Sequence, residues 1–179
     1  TLCGITIQAA NGIDVNSAFT SNGATVFHAD SNFDGAGTFT VTATGLVQTG
    51  GNTLTITADD VDLAGTLNAS DVTLRVSDGG PVVLGNTTGD FTIDGTELQN
   101  ITANNFFLTE GFTSYNLTVD GITAANSENI GTVNLYAGYD IIFDNNDSVF
   151  NALNLEAGHD INLKVNVSTD TGSIAAVTD

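Results

Sequence analysis

The chain has 179 residues, 41% of them hydrophobic, which is enough for one domain with a sizeable core. Its 21 aspartates and glutamates are opposed by only Arg75 and Lys164, which leaves a formal net charge of −19. A surface this negative repels nucleic-acid phosphates and anionic lipid headgroups, so we expect no nucleic-acid partner. No apolar run approaches the length that spans a bilayer, so we also expect no membrane insertion.

The chain shows no internal boundary, because neither a linker nor a change of composition divides it. A lone cysteine, Cys3, excludes an intrachain disulfide, and we interpret it as a small buried apolar side chain. The sequence begins directly in a strand pattern. We therefore expect one domain over residues 1–179, belonging to a mature product or to a longer repetitive chain.

Short runs that alternate apolar and polar residues predict strands along the whole chain. The first run is ITIQAANGIDV at residues 5–15, and turns rich in Gly, Asn and Asp separate it from the runs that follow. Further strands are predicted from apolar pairs that follow at irregular spacings, namely Phe39/Val41, Leu54/Ile56, Val72/Leu74, Phe91/Ile93, Phe106/Leu108, Leu117/Val119 and Val133/Leu135.

Two segments near the end of the chain repeat each other. VNLYAGYDIIF at residues 133–143 matches LNLEAGHDINL at residues 153–163 with an offset of 20 residues. In this alignment His159 takes the place of Tyr139, and Ile141 and Ile161 point inward while Ile142 and Asn162 share a face outside the core. A period near 20 residues built from strands and turns predicts an all-β fold, a right-handed parallel β-helix (β-solenoid) of about nine coils. A β-sandwich is the alternative fold, but the equivalent Ala-Gly-x-Asp-Ile corners favour stacked coils.

The stretch GGNTLTITADDVDLAGTLNASDVTLRVSDGGPVVLGNTTGDFTIDGTELQNITANNF, at residues 50–106, resembles bacterial filamentous-haemagglutinin-like exoproteins. LNLEAGHDINL and FHADSNFDGAGTFTV are similar to the same family. Its members are large secreted β-helical adhesins, many of them exported by two-partner secretion. The family's secretion-signal region with its Asn-Pro motifs is absent from this sequence. The resemblance therefore implies a shaft segment with a structural or adhesive role, secreted or held at a bacterial cell surface.

The stretch HADSNFDGAG contains the opening half of an EF-hand calcium loop. Asp30, Asn32 and Asp34 offer oxygen ligands at alternate positions, and a glycine follows them. The twelfth position, where an EF-hand has glutamate, is Val41 in a predicted strand. We therefore interpret the stretch as a glycine-rich corner held by Asx turns, with weak Ca²⁺ binding as the alternative. The acidic turn at residues 144–148 has the same two interpretations, and we expect no other cofactor.

Candidate catalytic residues are few. Asp59 and Asp60 resemble the acid pair of a glycoside hydrolase, but adjacent strand residues point to opposite faces, so we interpret them as a solvated corner. His28 and His159 have no nucleophile in a recognisable motif, and one cysteine with two distant histidines does not form a Cys/His zinc site. With two basic residues, the chain does not assemble the cationic cluster of a polysaccharide lyase. We therefore expect no enzymatic activity.

The sequence thus predicts a structural shaft segment of a secreted bacterial surface adhesin or extracellular filament, acting in attachment or matrix formation. The alternatives are a self-assembling fibre subunit and a carbohydrate-binding or inactive lyase-like β-helix. Expected partners are neighbouring copies or solenoid segments stacked end to end, because ladder edges are unpaired there, and glycans of a cell surface or matrix. An aromatic sugar-binding face is disfavoured, since tryptophan is absent and the three tyrosines are not arrayed.

Overall fold

The computed structural model describes residues 4–109 and 115–178, and Cys3 lies outside the described residues. Short strands dominate these segments, together with one short α-helix, α1 (Gly95–Gln99), and one 3-10 helix (Ala124–Ser127). In chain order the strands are β1 (Ile5–Gln8), β2 (Ile13–Val15), β3 (Ala18–Thr20), β4 (Thr25–His28), β5 (Thr38–Val41), β6 (Leu46–Gln48), β7 (Leu54–Ala58), β8 (Asp60–Leu63), β9 (Thr66–Asn68), β10 (Asp71–Val76), β11 (Val82–Gly85), β12 (Phe91–Ile93), β13 (Ile101–Thr109), β14 (Leu117–Asp120), β15 (Ile130–Ala137), β16 (Ile141–Phe143), β17 (Ser148–Phe150), β18 (Leu153–Ala157), β19 (Ile161–Leu163), β20 (Val167–Thr169) and β21 (Ile174–Thr178).

Within the described residues these strands stack as parallel neighbours in four hydrogen-bonded sheets. The first ladder has the order β1-β4-β7-β10-β13-β15-β18-β21. The second ladder contains two sheets, β2-β5-β8 and β12-β11-β14-β16-β19, which meet where β8 lies beside β12. The remaining strands form the row β3-β6-β9 and the separate pair β17-β20. The start of β13 pairs with β9, and the rest of β13 continues into the first ladder. The predicted all-β parallel β-solenoid is confirmed, whereas its right-handed sense and its nine coils stay predictions.

The core runs through the whole stack between the ladders. Every predicted apolar pair, from Phe39/Val41 to Val133/Leu135, is at most 1% exposed. Aromatic rings pack against each other within this core, and the ring centroids of Phe27 and Phe39 are 5.0 Å apart. Burial of this apolar surface is the main force that holds one coil on the next, because a single coil has no core of its own.

The predicted repeat register is confirmed in the two matching segments. Val133 pairs with Leu153 in the first ladder, and Ile141 pairs with Ile161 in the second. Each strand of one segment therefore lies directly on the equivalent strand of the other.

Elsewhere along the first ladder the length of the coils varies. Leu54 pairs with Thr25 on one side and with Val72 on the other, and Val72 pairs in turn with Phe106. The coil from Leu54 to Val72 is therefore much shorter than the coil that follows it. The apolar pairs identified in the sequence also belong to two different ladders, and both facts explain their irregular spacing.

One irregular step interrupts the second ladder. Strands β11 and β12 are parallel neighbours although the partners Val82 and Phe91 lie close together along the chain. The backbone N–H of Thr92 donates to the carboxylate of Asp60 (3.0 Å), so β12 lies beside β8. Strand β12 therefore follows β11 along the chain but occupies the position between β8 and β11 in the ladder.

Candidate functional site

The Asp30 carboxylate closes the loop that carries the EF-hand-like string. Asp30 is fully buried, and its two oxygens accept hydrogen bonds from the backbone N–H groups of Asp34 and Gly35, each 3.2 Å long. The Ser77 hydroxyl, which lies two coils further on, donates to the same carboxylate at 2.6 Å. Asp30 is therefore the residue that fixes this loop against the body of the solenoid.

Asn32 and Asp34 lie on the outside of the same loop. The Asn32 side-chain amide donates to the Asp34 carboxylate at 2.6 Å, and both residues are exposed. The loop bonds of Asp30 span four and five residues, so they are longer than those of an Asx turn. The structure thus gives the three predicted calcium ligands different partners, and Ca²⁺ binding by this loop stays a prediction.

Carboxylates of successive coils crowd beside this loop. Partial burial raises the pKa of Asp59, and the negative charges of Asp78, Asp30, Asp60 and Asp90 raise it further. All four of these neighbours carry the same sign of charge as Asp59 itself. The acidic corner is therefore a place where like charges repel each other across coils.

The second residue of the predicted acid pair, Asp60, faces a groove of about 550 Å³ that Asp62, Asp94 and Glu97 also line. Burial raises the pKa of both Asp60 and Glu97. Glu97 accepts backbone N–H bonds from Leu63 (3.0 Å) and Asp94 (2.8 Å) and forms a capping box with Asp94 at the start of α1.

Three carboxylates of this groove, those of Asp60, Asp94 and Glu97, accept hydrogen bonds from backbone N–H groups. Asp60 accepts the Thr92 N–H, as described above, and Glu97 uses both oxygens as acceptors. Asp59, in contrast, lies with Asp30 and Asp78 in the acidic corner. The structure thus gives Asp59 and Asp60 different surroundings.

A second corner joins the two repeated segments. His159 Nδ1 lies 2.8 Å from Asp140 Oδ1 and 3.4 Å from Asp160 Oδ2. The imidazole stacks on the Tyr139 ring with a centroid distance of 4.5 Å and an interplanar angle of 2°. The hydrogen bond with Asp140 is the main cause of a raised pKa for His159, to which the charges of Asp160 and Asp140 add, while desolvation opposes it.

The predicted equivalence of Tyr139 and His159 is confirmed by this stacking and by the hydrogen bond from the His159 N–H to the Tyr139 carbonyl (3.0 Å). Sequence reasoning missed the site itself, because Asp140 and His159 are far apart along the chain. The repeat offset was the available signal, since it stacks Asp140 and Asp160 at equivalent corners. Among the described residues, this is the cluster of His, Cys, Asp and Glu groups whose geometry suits a metal ion.

The acidic turn at residues 144–148 is tied to the following coil. Asp144 contacts the Lys164 ammonium at 2.6 Å, and Asp147 accepts bonds from the backbone N–H and the side-chain amide of Asn166, both 2.9 Å long. These contacts hold the pKa of both carboxyls below the ordinary value, through Lys164 for Asp144 and Asn166 for Asp147. Each aspartate of this turn thus connects one coil with the next.

The two ends of the ladders expose apolar side chains. At the end that contains β1, the residues Ile7, Ile13 and Phe19 are only partly buried against the core. At the other end, Leu163 is 59% and Ile174 is 43% exposed. Strands β1 and β21 have one ladder neighbour each within the described residues, so their outer backbone groups are unpaired.

The coils at the two ends also have similar lengths. Ile5 pairs with Thr25 at one end and Leu153 pairs with Ile174 at the other, so the two coils are almost equally long. Some internal coils are much longer, such as the coil from Val72 to its partner in β13. Each of these two end coils contains three strands, β1 to β3 at one end and β18 to β20 at the other.

No known family model, curated protein or solved structure matches the chain. In the part of the chain that the structure describes, no helix is long and apolar enough to cross a bilayer. The function proposed below therefore rests on the fold and on the contacts of the described residues.

Proposed function

We propose that this chain is a structural shaft segment of a secreted bacterial surface adhesin or extracellular filament, and that it acts in attachment or matrix formation. The observation that carries this proposal is the first ladder, in which eight parallel strands stack over a continuous apolar core. Eight strands at the usual ladder spacing of about 4.8 Å extend about 34 Å along the axis. Such a stack acts as a spacer of fixed length.

The filamentous-haemagglutinin-like family is the proposed relationship. Its support is the set of motifs in residues 50–106 and 153–163, together with a solenoid of the expected type. The proposed location is outside the cell or on its surface. The proposed role is non-enzymatic, because the carboxylates that could suggest hydrolysis accept bonds from backbone groups or repel one another.

The proposed partner at each end is another copy or another solenoid segment. Exposed ladder edges accept a further strand by backbone hydrogen bonding, and the exposed apolar residues gain burial when they are covered. The matching coil lengths of the two ends favour head-to-tail stacking. The exposed ends therefore favour a self-assembling fibre subunit as the specific form of the proposed function.

Negative-stain electron microscopy of the concentrated protein tests the proposal. We expect rods or filaments of one constant width. Ile174→Asp should abolish them, because Ile174 pairs with the buried Leu153 and faces the core side of the exposed edge. Ala175→Asp is the matched control, since it places the same charge at the neighbouring outward position.

Isolated particles at all concentrations would refute the end-to-end proposal. Filaments that persist equally in both variants would also contradict it. Circular dichroism of each variant, taken as a monomer, separates a lost contact from a lost fold.

A glycan-binding face is the second candidate function. The Phe107 and Tyr136 rings stack on the outer side of the first ladder, 6.2 Å apart with an interplanar angle of 21°. The exposed Arg75 lies on the same side. Aromatic side chains together with a few polar or charged groups are typical of small-molecule binding sites. Calorimetry with matrix oligosaccharides distinguishes this function: binding that Phe107→Ala removes would favour it, and no binding would oppose it.

A further inference from the structure

We propose that Asp140, His159 and Asp160 bind one divalent transition-metal ion of the Zn²⁺ class across two successive coils. Each residue offers one ligand atom, and the three atoms lie within 4.8 Å of one another. Two of the ligands, Asp140 and Asp160, occupy the same position of the sequence repeat, and the histidine lies between them. The site is independent of the calcium hypothesis for Asp30, Asn32 and Asp34.

The ligand atoms lie close to the separations that a small metal ion requires. Zn²⁺ binds histidine nitrogen and carboxylate oxygen at about 2.1 Å, so two tetrahedral ligands lie about 3.4 Å apart. The distance from His159 Nδ1 to Asp160 Oδ2 is 3.4 Å, and that to Asp140 Oδ1 is 2.8 Å. An ion would replace the hydrogen bond between His159 and Asp140, and it fits among the three atoms after a small side-chain rotation that moves these two atoms apart.

The surrounding contacts limit the movement of these side chains. Stacking on Tyr139 fixes the plane of the His159 ring, and the Asp160 backbone N–H donates to Asp140 Oδ1 at 3.1 Å. Gly158 packs directly on the Gly138 carbonyl, where a Cβ atom would collide. This close approach of two corners holds the ligands of both coils together.

The donor set selects the type of metal. Imidazole nitrogen suits Zn²⁺, Cu²⁺ or Ni²⁺, whereas Ca²⁺ and Mg²⁺ take oxygen ligands. The side chains of His159 and Asp160 are 51% and 64% exposed, so an ion reaches the site from solvent and water completes its coordination. The net charge of −19 raises the local concentration of any cation near the protein. Binding that prefers Zn²⁺ over Mg²⁺, and not binding of cations in general, therefore identifies the site.

Calorimetric titration with Zn²⁺ alone as the probe ion, at physiological ionic strength and with excess Mg²⁺ on the surface carboxylates, tests the proposal. We expect one Zn²⁺ per chain. His159→Ala and Asp140→Asn should each weaken this binding at least about tenfold, because each removes one of three ligands. His28→Ala is the matched control and should bind Zn²⁺ like the wild type.

A second readout follows the effect on the fold. Zn²⁺ should raise the melting temperature of the wild type and of His28→Ala, because the ion binds the folded state and joins two coils. It should not raise that of His159→Ala. Equal Zn²⁺ binding by the wild type and His159→Ala would overturn the proposal. Full competition by Mg²⁺ would overturn it too, since it would show that the ion only neutralises surface charge.

Discussion

At the residue scale, neighbouring positions of one strand have opposite environments. Ile141 is fully buried and pairs with Ile161, whereas Ile142 is half-buried and pairs with Thr118 and Asn162. The alternation follows from the strand geometry, which sends successive side chains to opposite faces. A charge at these two positions should therefore have very different effects.

Ile141→Asp should lower the free energy of unfolding by roughly 3–5 kcal/mol, because it buries an unpaired carboxylate. Ile142→Asp is the matched control and should cost about 1 kcal/mol or less. Urea unfolding followed by circular dichroism measures both values. Equal losses of stability would show that the register of β16 is wrong.

Asp59 is a residue whose charge works against folding. Its pKa is raised by partial burial first and by Asp78, Asp30, Asp60 and Asp90 after that. A raised pKa means that the folded state holds this proton more tightly than the unfolded state does. The contribution of Asp59 to the stability of the wild type therefore falls as pH rises through its raised pKa.

Asp59→Asn should accordingly raise the melting temperature at neutral pH. The gain should shrink as pH falls below the ordinary pKa of aspartate, because the wild-type carboxyl is then neutral in both states. Asp14→Asn, which alters an exposed residue of β2, is the control and should change little. A gain that does not depend on pH would count against charge repulsion at this corner.

At the element scale, the loop after β4 depends on one buried carboxylate. Asp30→Ala should destabilise the protein by about 2–4 kcal/mol, because it leaves the Asp34 and Gly35 N–H groups and the Ser77 hydroxyl without their acceptor. Asp34→Ala should cost less than about 1 kcal/mol, since the Asp34 side chain is exposed. Similar melting temperatures for both variants would contradict the assignment of Asp30 as the residue that fixes the loop.

The same variants test Ca²⁺ binding. We expect Ca²⁺ and Mg²⁺ to raise the melting temperature alike, by screening and bridging carboxylates, and we expect Asp34→Ala to keep that response. Val41 replaces the bidentate glutamate that makes such loops tight. A saturable response specific to Ca²⁺ that Asp34→Ala abolishes would show that the loop is a calcium site.

Much of the fold was predictable because its signals are local. Alternating apolar residues identified the strands, and the sequence repeat predicted the pairs Val133–Leu153 and Ile141–Ile161. The reversed order of β11 and β12 was not predictable, because it depends on which gap in the ladder remains to be filled. The structural role of Asp30 was not predictable for a similar reason. Its hydrogen-bond donor Ser77 is 47 residues away along the chain, so the sequence near Asp30 shows only a string that resembles metal ligands.

At the scale of the whole molecule, two opposing terms act on association. The net charge of −19 repels other copies, while the exposed apolar residues and unpaired edges at the two ends attract them. The repulsion is screened by salt, but the burial of apolar surface is not. Copies of the chain should therefore associate along the ladder axis, and this association should increase with ionic strength.

Small-angle X-ray scattering over a concentration and salt series tests this axial growth most directly. If copies stack head to tail, the cross-sectional radius of gyration stays constant while particle length rises in steps of about 38 Å, because each added copy contributes eight strands and eight ladder spacings. Ile174→Asp should hold the length at that of one copy, and Ala175→Asp should behave like the wild type. A particle whose length never changes, or one that grows in cross-section, would contradict the shaft proposed here.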